Sequence, residues 1–223
     1  MKYIAGILAA AAVIFGAVAV AQAEDIISSA GANTYDGGPF HIAAGETPNY
    51  VNPAGSLGYH NVVSEDDGPD GEKLFESEAI PANSSSPVVG AQYLSPGTYH
   101  FVCTIHPGME DDLIVDPGTP VARPAVKLSV PSQKLKKARK SGKIKVDVKG
   151  VADSTGVDLT LSKGKAVIGT AADLAVDKGK TRTVSVALTS AGAKAIKKGK
   201  KVTVTVAGTL PFGKPVSAKG TLR

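Results

Sequence analysis

One short stretch, residues 99–109, constrains the fold more than any other part of the chain. It reads YHFVCTIHPGM and contains the only cysteine of the protein. Tyr99, Phe101 and Cys103 alternate onto one face, which predicts a β-strand that ends at the cysteine. Pro107 disfavours helical backbone at the residue before it, so a turn rather than a helix follows. The chain therefore places its most distinctive side chains in a loop that leaves a strand.

The side chains of this loop are those that copper prefers. Cys103, His106 and Met109 are separated by two-residue gaps, which let a tight turn fold back around an ion. Copper that changes oxidation state is held by two His and one Cys in a plane, with a weak axial Met. Each residue alone has a simpler explanation, as a buried thiol, a solvated imidazole or a core thioether. Their joint spacing after a strand favours a copper site with three of its four ligands in this loop.

The fourth ligand has to come from another part of the chain. His60, in the strand-like segment 59–64, is the strongest candidate. His41 lies early in another strand-like run, and His100 has the opposite parity to Cys103, so it should point away from the metal. We expect both to be surface or partly buried histidines. The chain has only four histidines, too few for a multicopper oxidase, so we predict that it is not an enzyme.

The first 23 residues have the composition of a secretory signal peptide. Lys2 precedes an apolar run from residue 4 to residue 20, and Ala21-Gln22-Ala23 forms a small-residue cleavage site. An uncleaved membrane anchor is the alternative, because the run is nearly long enough to span a bilayer. We expect an exported protein, whether periplasmic, cell-wall-associated or secreted. A single cysteine in such a compartment has no internal disulfide partner, and metal ligation would protect it.

Charge divides the rest of the chain into two halves of opposite sign. Residues 24–118 hold fifteen Asp and Glu against one Lys, a net of −14. Residues 119–223 hold 23 Lys and Arg against five Asp, a net of +18. Prolines and glycine at 117–124 predict a semi-stiff linker between the halves. The predicted domains are therefore 24–116 and 125–223.

Both halves are predicted to be all-β. The first half has short β-rich segments between turns, which suit an antiparallel sandwich. These segments are 40–43, 59–64, 87–91, 97–103 and 113–115. In the second half, seven alternating segments suggest an immunoglobulin-like sandwich, interrupted by one short helix at 189–199 with a Thr or Ser cap. The seven segments are 126–130, 144–148, 157–161, 166–169, 183–188, 202–207 and 216–222.

Residues 36–115 resemble a known family. The pattern of His60 followed 43 positions later by Cys103, and then by His106 and Met109, is similar to the ligand pattern of the cupredoxins. These are the type 1 blue copper proteins of the amicyanin and plastocyanin kind. The resemblance implies a Greek-key β-sandwich that binds one copper ion, cycling between Cu(I) and Cu(II). It also implies that the two histidines and the cysteine are equatorial ligands and that the methionine is axial.

The same resemblance assigns a supporting role outside the ligands. Asn61 matches the family position that hydrogen-bonds across to the ligand loop, here to the backbone near Thr104, and such contacts orient metal ligands. One departure from the family is the acidic segment 110–112 after the axial ligand. Three carboxylates at this position should favour the more positive cupric ion and lower the reduction potential, less so where solvent screens them.

The predicted function is one-electron transfer by an exported mononuclear copper protein. The acidic first half would steer a redox protein with a cationic docking surface toward it. Two alternatives use the same residues differently. The first is a copper storage, delivery or sensing protein without electron transfer. The second is a cell-surface interaction protein that uses the β-sandwich only as a scaffold.

The basic second half resembles lysine-rich immunoglobulin-like modules and shows no catalytic motif. Its expected partners are an anionic cell-wall polymer or a membrane surface, or the acidic half of the same chain. Nucleic acid is not expected, because no aromatic residues are interleaved with the lysines of its basic segment 134–143. That segment is expected to be a solvated loop.

Overall fold

A computed structural model describes residues 25–223, so the predicted signal peptide lies outside the described residues. Within that range no helix combines the length and the hydropathy needed to cross a bilayer. Strands dominate, and the buried apolar residues form two separate clusters, one drawn from residues 26–115 and the other from residues 126–222. The prediction of an all-β chain with two packed cores is confirmed.

The first core lies between two small sheets. Its strands are β1 Ile26–Ile27, β2 Phe40–Ala43, β3 Asn49–Asn52, β4 Val63–Ser64, β5 Ser84–Pro87, β6 Gly97–Val102 and β7 Glu110–Asp116. One sheet has the order β1-β3-β5 and the other β2-β7-β6-β4. The pairs β1–β3 and β2–β7 are parallel, and the remaining pairs are antiparallel. Aromatic rings fill the space between the sheets, and the largest of them belong to Phe40, Tyr50, Phe75 and Phe101.

The β6–β7 hairpin positions the ligand loop. Val102 and Glu110 form its last residue pair, so residues 103–109 leave the open end of the sheet. The strand before them keeps Phe101 buried and its neighbours half-exposed, as expected for a sheet with one face on the core. The hairpin thus carries the cysteine at the end of a strand anchored in the core.

The second core is enclosed by seven strands that are hydrogen-bonded in one continuous order. The elements are β8 Val126–Ser129, α1 Leu135–Ser141, β9 Lys143–Gly150, β10 Ser154–Lys163, β11 Ala166–Val176, β12 Thr181–Leu188, α2 Ser190–Ala195, β13 Val202–Leu210 and β14 Gly213–Leu222. The strand order is β14-β13-β10-β11-β12-β9-β8. With the strands lettered A to G in chain order, this is G-F-C-D-E-B-A, the order that results if the CFG and ABED sheets of an immunoglobulin-like sandwich are joined along one edge. All seven predicted strand segments are present.

The two helices of the second domain differ in how well the sequence predicts them. Helix α2 was predicted, and its cap is Thr189, whose side chain accepts a hydrogen bond from the Gly192 amide. The expectation of a solvated loop at 134–143 is wrong, because most of that segment is helix α1. Leu135 and Ala138 are buried on one side of α1. Two apolar residues among several lysines are too weak a pattern to reveal a helix of seven residues.

The two domains touch at the turn between β13 and β14. The Phe212 ring packs on Tyr93 with ring centroids 5.6 Å apart, and its amide donates a 2.6 Å hydrogen bond to Asp70. Arg123 of the linker lies 5.8 Å above the Tyr93 ring and donates to the Phe212 carbonyl at 3.3 Å. In the described range, no ion pair joins the acidic half to the basic half. The contact is therefore aromatic and hydrogen-bonded rather than one of opposite charges.

Replacing Phe212 with Ala should loosen this contact. The change removes the ring from Tyr93, and such aromatic pairs contribute about 1 kcal/mol beyond area burial. We expect the two domains to tumble with different correlation times in NMR relaxation measurements, whereas the unmodified protein tumbles as one body. Val167→Ala, which truncates an exposed residue elsewhere on the second domain, is the control. Joint tumbling of the Phe212→Ala protein would contradict the assigned role of this contact.

Candidate metal centre

Three side chains with metal-binding atoms meet at one end of the first domain. The imidazole nitrogens of His60 and His106 and the Cys103 sulfur all lie within 4.8 Å of one another. The Nδ1 atoms face the sulfur, at 3.9 Å from His60 and 3.8 Å from His106. His60 and Cys103 are buried, whereas His106 is half-buried at the surface. In the described part of the chain, no other group of His, Cys, Asp and Glu shows this convergence.

The ligand loop is closed by its own backbone. The Cys103 amide donates to the Met109 carbonyl at 2.8 Å, and the Met109 amide donates to the His106 carbonyl at 3.2 Å. Gly108 has a φ of 79°, which L side chains rarely adopt, so the turn before Met109 depends on glycine. The Met109 side chain is buried in the first core together with Cys103. The loop therefore places the Met109 side chain beneath the surface of the first domain.

His60 is held by a pairing with residue 80. The His60 amide donates to the Ile80 carbonyl at 3.2 Å, and the Ile80 amide donates back at 3.0 Å. Asn52, completely buried on β3, fixes the same region by donating to the Ile80 carbonyl at 2.9 Å and to the Gly58 carbonyl at 3.1 Å. The Ser28 hydroxyl in turn donates to Asn52 at 2.8 Å. A buried amide with all these partners fixes the chain that leads into His60.

Asn61 connects the two segments that carry the ligands. Its Oδ1 accepts from the Thr104 amide at 3.0 Å, and its Nδ2 donates to the Thr104 hydroxyl at 3.0 Å. One side chain thus binds both the backbone and the side chain of the residue after Cys103. The contact lies where the family resemblance places it, and it includes the threonine hydroxyl in addition to the backbone.

Tyr35 supports the same link, a role that was not predicted from the sequence. Its hydroxyl donates a 2.5 Å hydrogen bond to the Asn61 carbonyl, and its ring stands edge-on to Phe101 at 4.8 Å. Burial is the main reason that the pKa of Tyr35 is raised far above its ordinary value, so the phenol remains a donor. Tyr35 lies between β1 and β2 in a segment without regular alternation. Asn52 lies outside the strand segments predicted from the sequence, so its burial was not predicted either.

The protonation state of His60 suits metal binding. Burial, together with the nearby His106, lowers the pKa of His60 below its ordinary value of 6.5, although the Leu57 carbonyl acts in the opposite direction. A neutral imidazole can keep an unprotonated nitrogen, which is what a metal ligand needs. The Nε2 atom is buried and makes no hydrogen bond of normal geometry. The Nδ1 atom is the one that faces Cys103.

The spacing of the donors fits a metal ion in their plane. Bonds of about 2.0 Å to nitrogen and about 2.3 Å to sulfur, at about 120°, would place the sulfur about 3.7 Å from each nitrogen. The two sulfur-to-nitrogen distances of 3.8 and 3.9 Å are close to that value. Two imidazoles and one thiolate, with a thioether beside them, form the donor set of type 1 copper sites. The residues present therefore fit copper in number and in type.

The remaining histidines lie outside the cluster, as expected. His41 faces the Asp116 carboxylate at 3.4 Å. His100 lies 2.9 Å from Asp112 and 3.8 Å from Glu110 on β7. Two members of the acidic segment after Met109 thus lie close to His100.

Comparison with known proteins reveals one sequence relative and several distant structures. No family model matches the sequence. The chloroplastic plastocyanin of Hordeum vulgare is 32% identical over 105 residues, which is 45% of this chain and 65% of that protein. The aligned part therefore spans less than two thirds of its relative. This likeness supports a cupredoxin-like first domain.

The solved structures that match this chain do so with low TM-scores. A reduced Cu(I) form of an amicyanin variant at pH 4 and an oxidized state of a second amicyanin variant are each 20% identical. Each match covers 42% of this chain and 82% of the amicyanin chain, with TM-scores of 0.35 and 0.34. A tetra-tandem repeat from the extending region of a large adhesion protein is 17% identical and matches 90% of this chain and 49% of its own, with a TM-score of 0.32. The immunoglobulin-like character of the second domain rests on its strand order alone.

Replacing Asn52 with Ala should destabilise the first domain. The substitution leaves the Gly58 carbonyl without this donor and the buried Ser28 hydroxyl without its acceptor, and the Ile80 carbonyl keeps only its longer bond from the His60 amide. The cost of such unpaired groups suggests a loss of about 2–3 kcal/mol in the free energy of unfolding. Chemical denaturation without added metal measures it. Asn49→Ala, on the exposed face of the same strand, is the control and should change stability by less than about 0.5 kcal/mol. Equal losses in both variants would contradict the role assigned to Asn52.

The pKa of His100 should depend on Asp112. The hydrogen bond that His100 donates to the Asp112 carboxylate is the main cause of a His100 pKa raised above 6.5, against a smaller opposing effect of burial. Because the folded pKa exceeds the unfolded one, this pair adds stability below about pH 6.5 and loses it as pH rises through the folded pKa. Asp112→Asn should lower the His100 pKa in an NMR titration. Asp25→Asn makes the same change of charge away from His100 and should leave the His100 pKa unchanged. An unchanged His100 pKa in Asp112→Asn would be the contrary result.

Proposed function

We propose that this chain is a mononuclear type 1 copper protein that carries single electrons and catalyses no reaction on a substrate. The observation that carries the proposal is the convergence of one sulfur and two Nδ1 atoms, with sulfur-to-nitrogen distances of 3.8 and 3.9 Å, held by a network of hydrogen bonds. Copper, when bound, supplies a one-electron couple between Cu(I) and Cu(II). The sequence likeness to plastocyanin supports the same function.

Each proposed ligand has a distinct task. Cys103 and Met109 offer soft sulfur, which suits the reduced ion, and the imidazoles of His60 and His106 suit the oxidised ion. Fast electron transfer needs nearly the same ligand positions in both states. The Asn61–Thr104 link and the Asn52 network restrain the donors from two sides. Because the loop is also closed between Cys103 and Met109, its ligands have little freedom to move.

His106 is the proposed point of contact with a redox partner. It is the half-buried member of the cluster, whereas His60 and Cys103 are shielded from solvent. Ile105 beside it, and Leu57 and Tyr59 before His60, are exposed apolar side chains. Small apolar contacts of this kind suit the weak, short-lived interfaces of redox proteins. The net charge of −14 over residues 24–118 favours a partner with a cationic docking surface and a rate that falls with salt.

The proposed location is outside the cytoplasm. The support is the signal-like composition of residues 1–23 and the single cysteine, which has no disulfide partner. In an oxidising compartment a buried thiol that ligates copper is protected from other reactions. Sequencing the N-terminus of the protein recovered from its native host tests this location. A terminus at residue 24 supports export, and an intact Met1 in the cytosolic fraction contradicts it.

Titration with cupric salt tests the proposed carrier. We expect an intense visible thiolate-to-copper band that reaches its maximum at one copper per chain and bleaches reversibly with a reductant. A colourless and tightly held cuprous ion that cannot be reoxidised would instead indicate copper delivery or storage. Absence of stoichiometric binding would contradict every copper-based function.

Substitutions identify the ligands within the same experiment. Cys103→Ser should abolish the visible band, and His60→Asn should weaken or abolish it, because each removes an equatorial donor. Met109→Leu should keep the band and raise the reduction potential, since the thioether donor is lost. His100→Asn, a histidine of the same domain outside the cluster, is the matched control and should leave the band unchanged. A band that survives in Cys103→Ser would refute the ligand assignment.

A further inference from the structure

A cleft in the second domain combines several cationic side chains. It has a volume of about 270 Å³ and lies between helix α1 and strand β9. Lys134 and Lys137 line it from the helix side, and Lys143 and Lys145 line it from the strand side. Three serines, of which Ser185 belongs to β12, add hydroxyl groups to its walls. No carboxylate is among its lining residues.

The lysines of the cleft have no competing partners. All four are exposed, and in the described part of the chain none of them forms an ion pair with a carboxylate. The acidic residue of β9, Asp147, is itself engaged, because it accepts a 2.6 Å hydrogen bond from the Thr183 hydroxyl. Four neighbouring ammonium groups repel one another, so an anion between them would relieve an unfavourable arrangement.

The walls of the cleft are fixed by hydrogen bonds. Gln133 donates to the Lys145 carbonyl and accepts from the Lys145 amide, each at 2.9 Å, which ties the segment before α1 to β9. Arg139 donates to the carbonyls of Ile196 and Gly199, each at 2.8 Å, which ties α1 to the segment after α2. The cleft is therefore a formed depression and does not require a loop to close over it.

The positive charge continues beyond the cleft along the outer face of the sheet. On β9, Lys143, Lys145 and Lys149 are exposed and alternate with buried Ile and Val residues. Lys127 of β8 is paired in register with Lys149 and extends the row. Residues two apart on a strand are separated by about 6.6 Å, so Lys143 and Lys145 are neighbours on this face, and Asp147 lies between Lys145 and Lys149. A linear partner with repeated negative charges matches this row better than a single small ion.

We propose that the cleft and the lysine row bind a linear polyol-phosphate polymer, with one phosphate group seated in the cleft. Ammonium and hydroxyl donors line both walls of the cleft, which suits the tetrahedral oxygens of a phosphate better than a planar carboxylate. No aromatic side chain and no arginine lines the cleft, so bases would find neither stacking nor bidentate contacts. No exposed large apolar side chain lines it either, which disfavours insertion into a membrane.

Binding of purified poly(glycerol phosphate) by the full chain tests this inference. We expect tighter binding to it than to polygalacturonate, single-stranded DNA or vesicles with anionic lipid, all compared at one salt concentration. Affinity should fall as salt rises, because lysines that neutralise phosphates release counterions. Equal or tighter binding to any of the other three probes would overturn the assignment of the partner.

A matched pair of variants tests the cleft itself. Lys→Gln at positions 134, 137, 143 and 145 should weaken binding at least about tenfold and make the slope of log K against log salt shallower by about 3, at about 0.7 per lost contact. Lys→Gln at positions 194, 197, 198 and 200 removes the same charge from exposed lysines around the end of α2. This control should keep most of the affinity. Equal losses in both variants would show that net charge alone attracts the polymer and would overturn the site. Unchanged melting temperatures establish that both variants are folded.

Discussion

The contact between Asn61 and Thr104 is the interaction on which the proposed metal centre depends. The ligand segments are far apart in sequence, and bringing them together costs chain entropy that a metal alone would otherwise have to offset. Here the protein meets that cost during folding. The Asn61 side chain binds both the amide and the hydroxyl of Thr104 at 3.0 Å, and Tyr35 fixes the Asn61 carbonyl from the core side. The donors are therefore close to their final spacing before any ion is bound.

Burial determines the protonation state and the solvent exposure of the proposed ligands. His60 is enclosed, so the neutral form of its ring is favoured and its Nδ1 remains directed at Cys103. His106 is half-buried, so one ligand reaches the surface. The second domain has an apolar core and a positively charged surface, whereas the first domain is negatively charged. The aromatic contact between Phe212 and Tyr93 joins the two domains, which leaves the lysine row on β9 available to a separate partner.

Much of the fold and of the candidate site could be predicted from the sequence, and the features that could not be predicted share a physical cause. Period-two alternation is strong in the second half, so all seven of its strands were predictable. The spacing of Cys103, His106 and Met109 restricts the site to few metals. Because the chain has only four histidines, His60 could be chosen as the fourth ligand. Tyr35, Asn52 and Phe212 could not be predicted, because their roles arise from long-range contacts that leave no local pattern. Helix α1 was not predicted, because its two buried residues are too few to show a helical periodicity.

X-ray absorption at the copper edge tests the central claim most directly. The protein is loaded with one copper ion, and the spectrum is recorded for the oxidised and the reduced forms of the same sample. The account predicts one short copper–sulfur bond and two copper–nitrogen bonds in both forms, with little change in length between them. A site without a short sulfur bond, or one that gains or loses a ligand on reduction, would contradict a prearranged centre built on His60, Cys103 and His106.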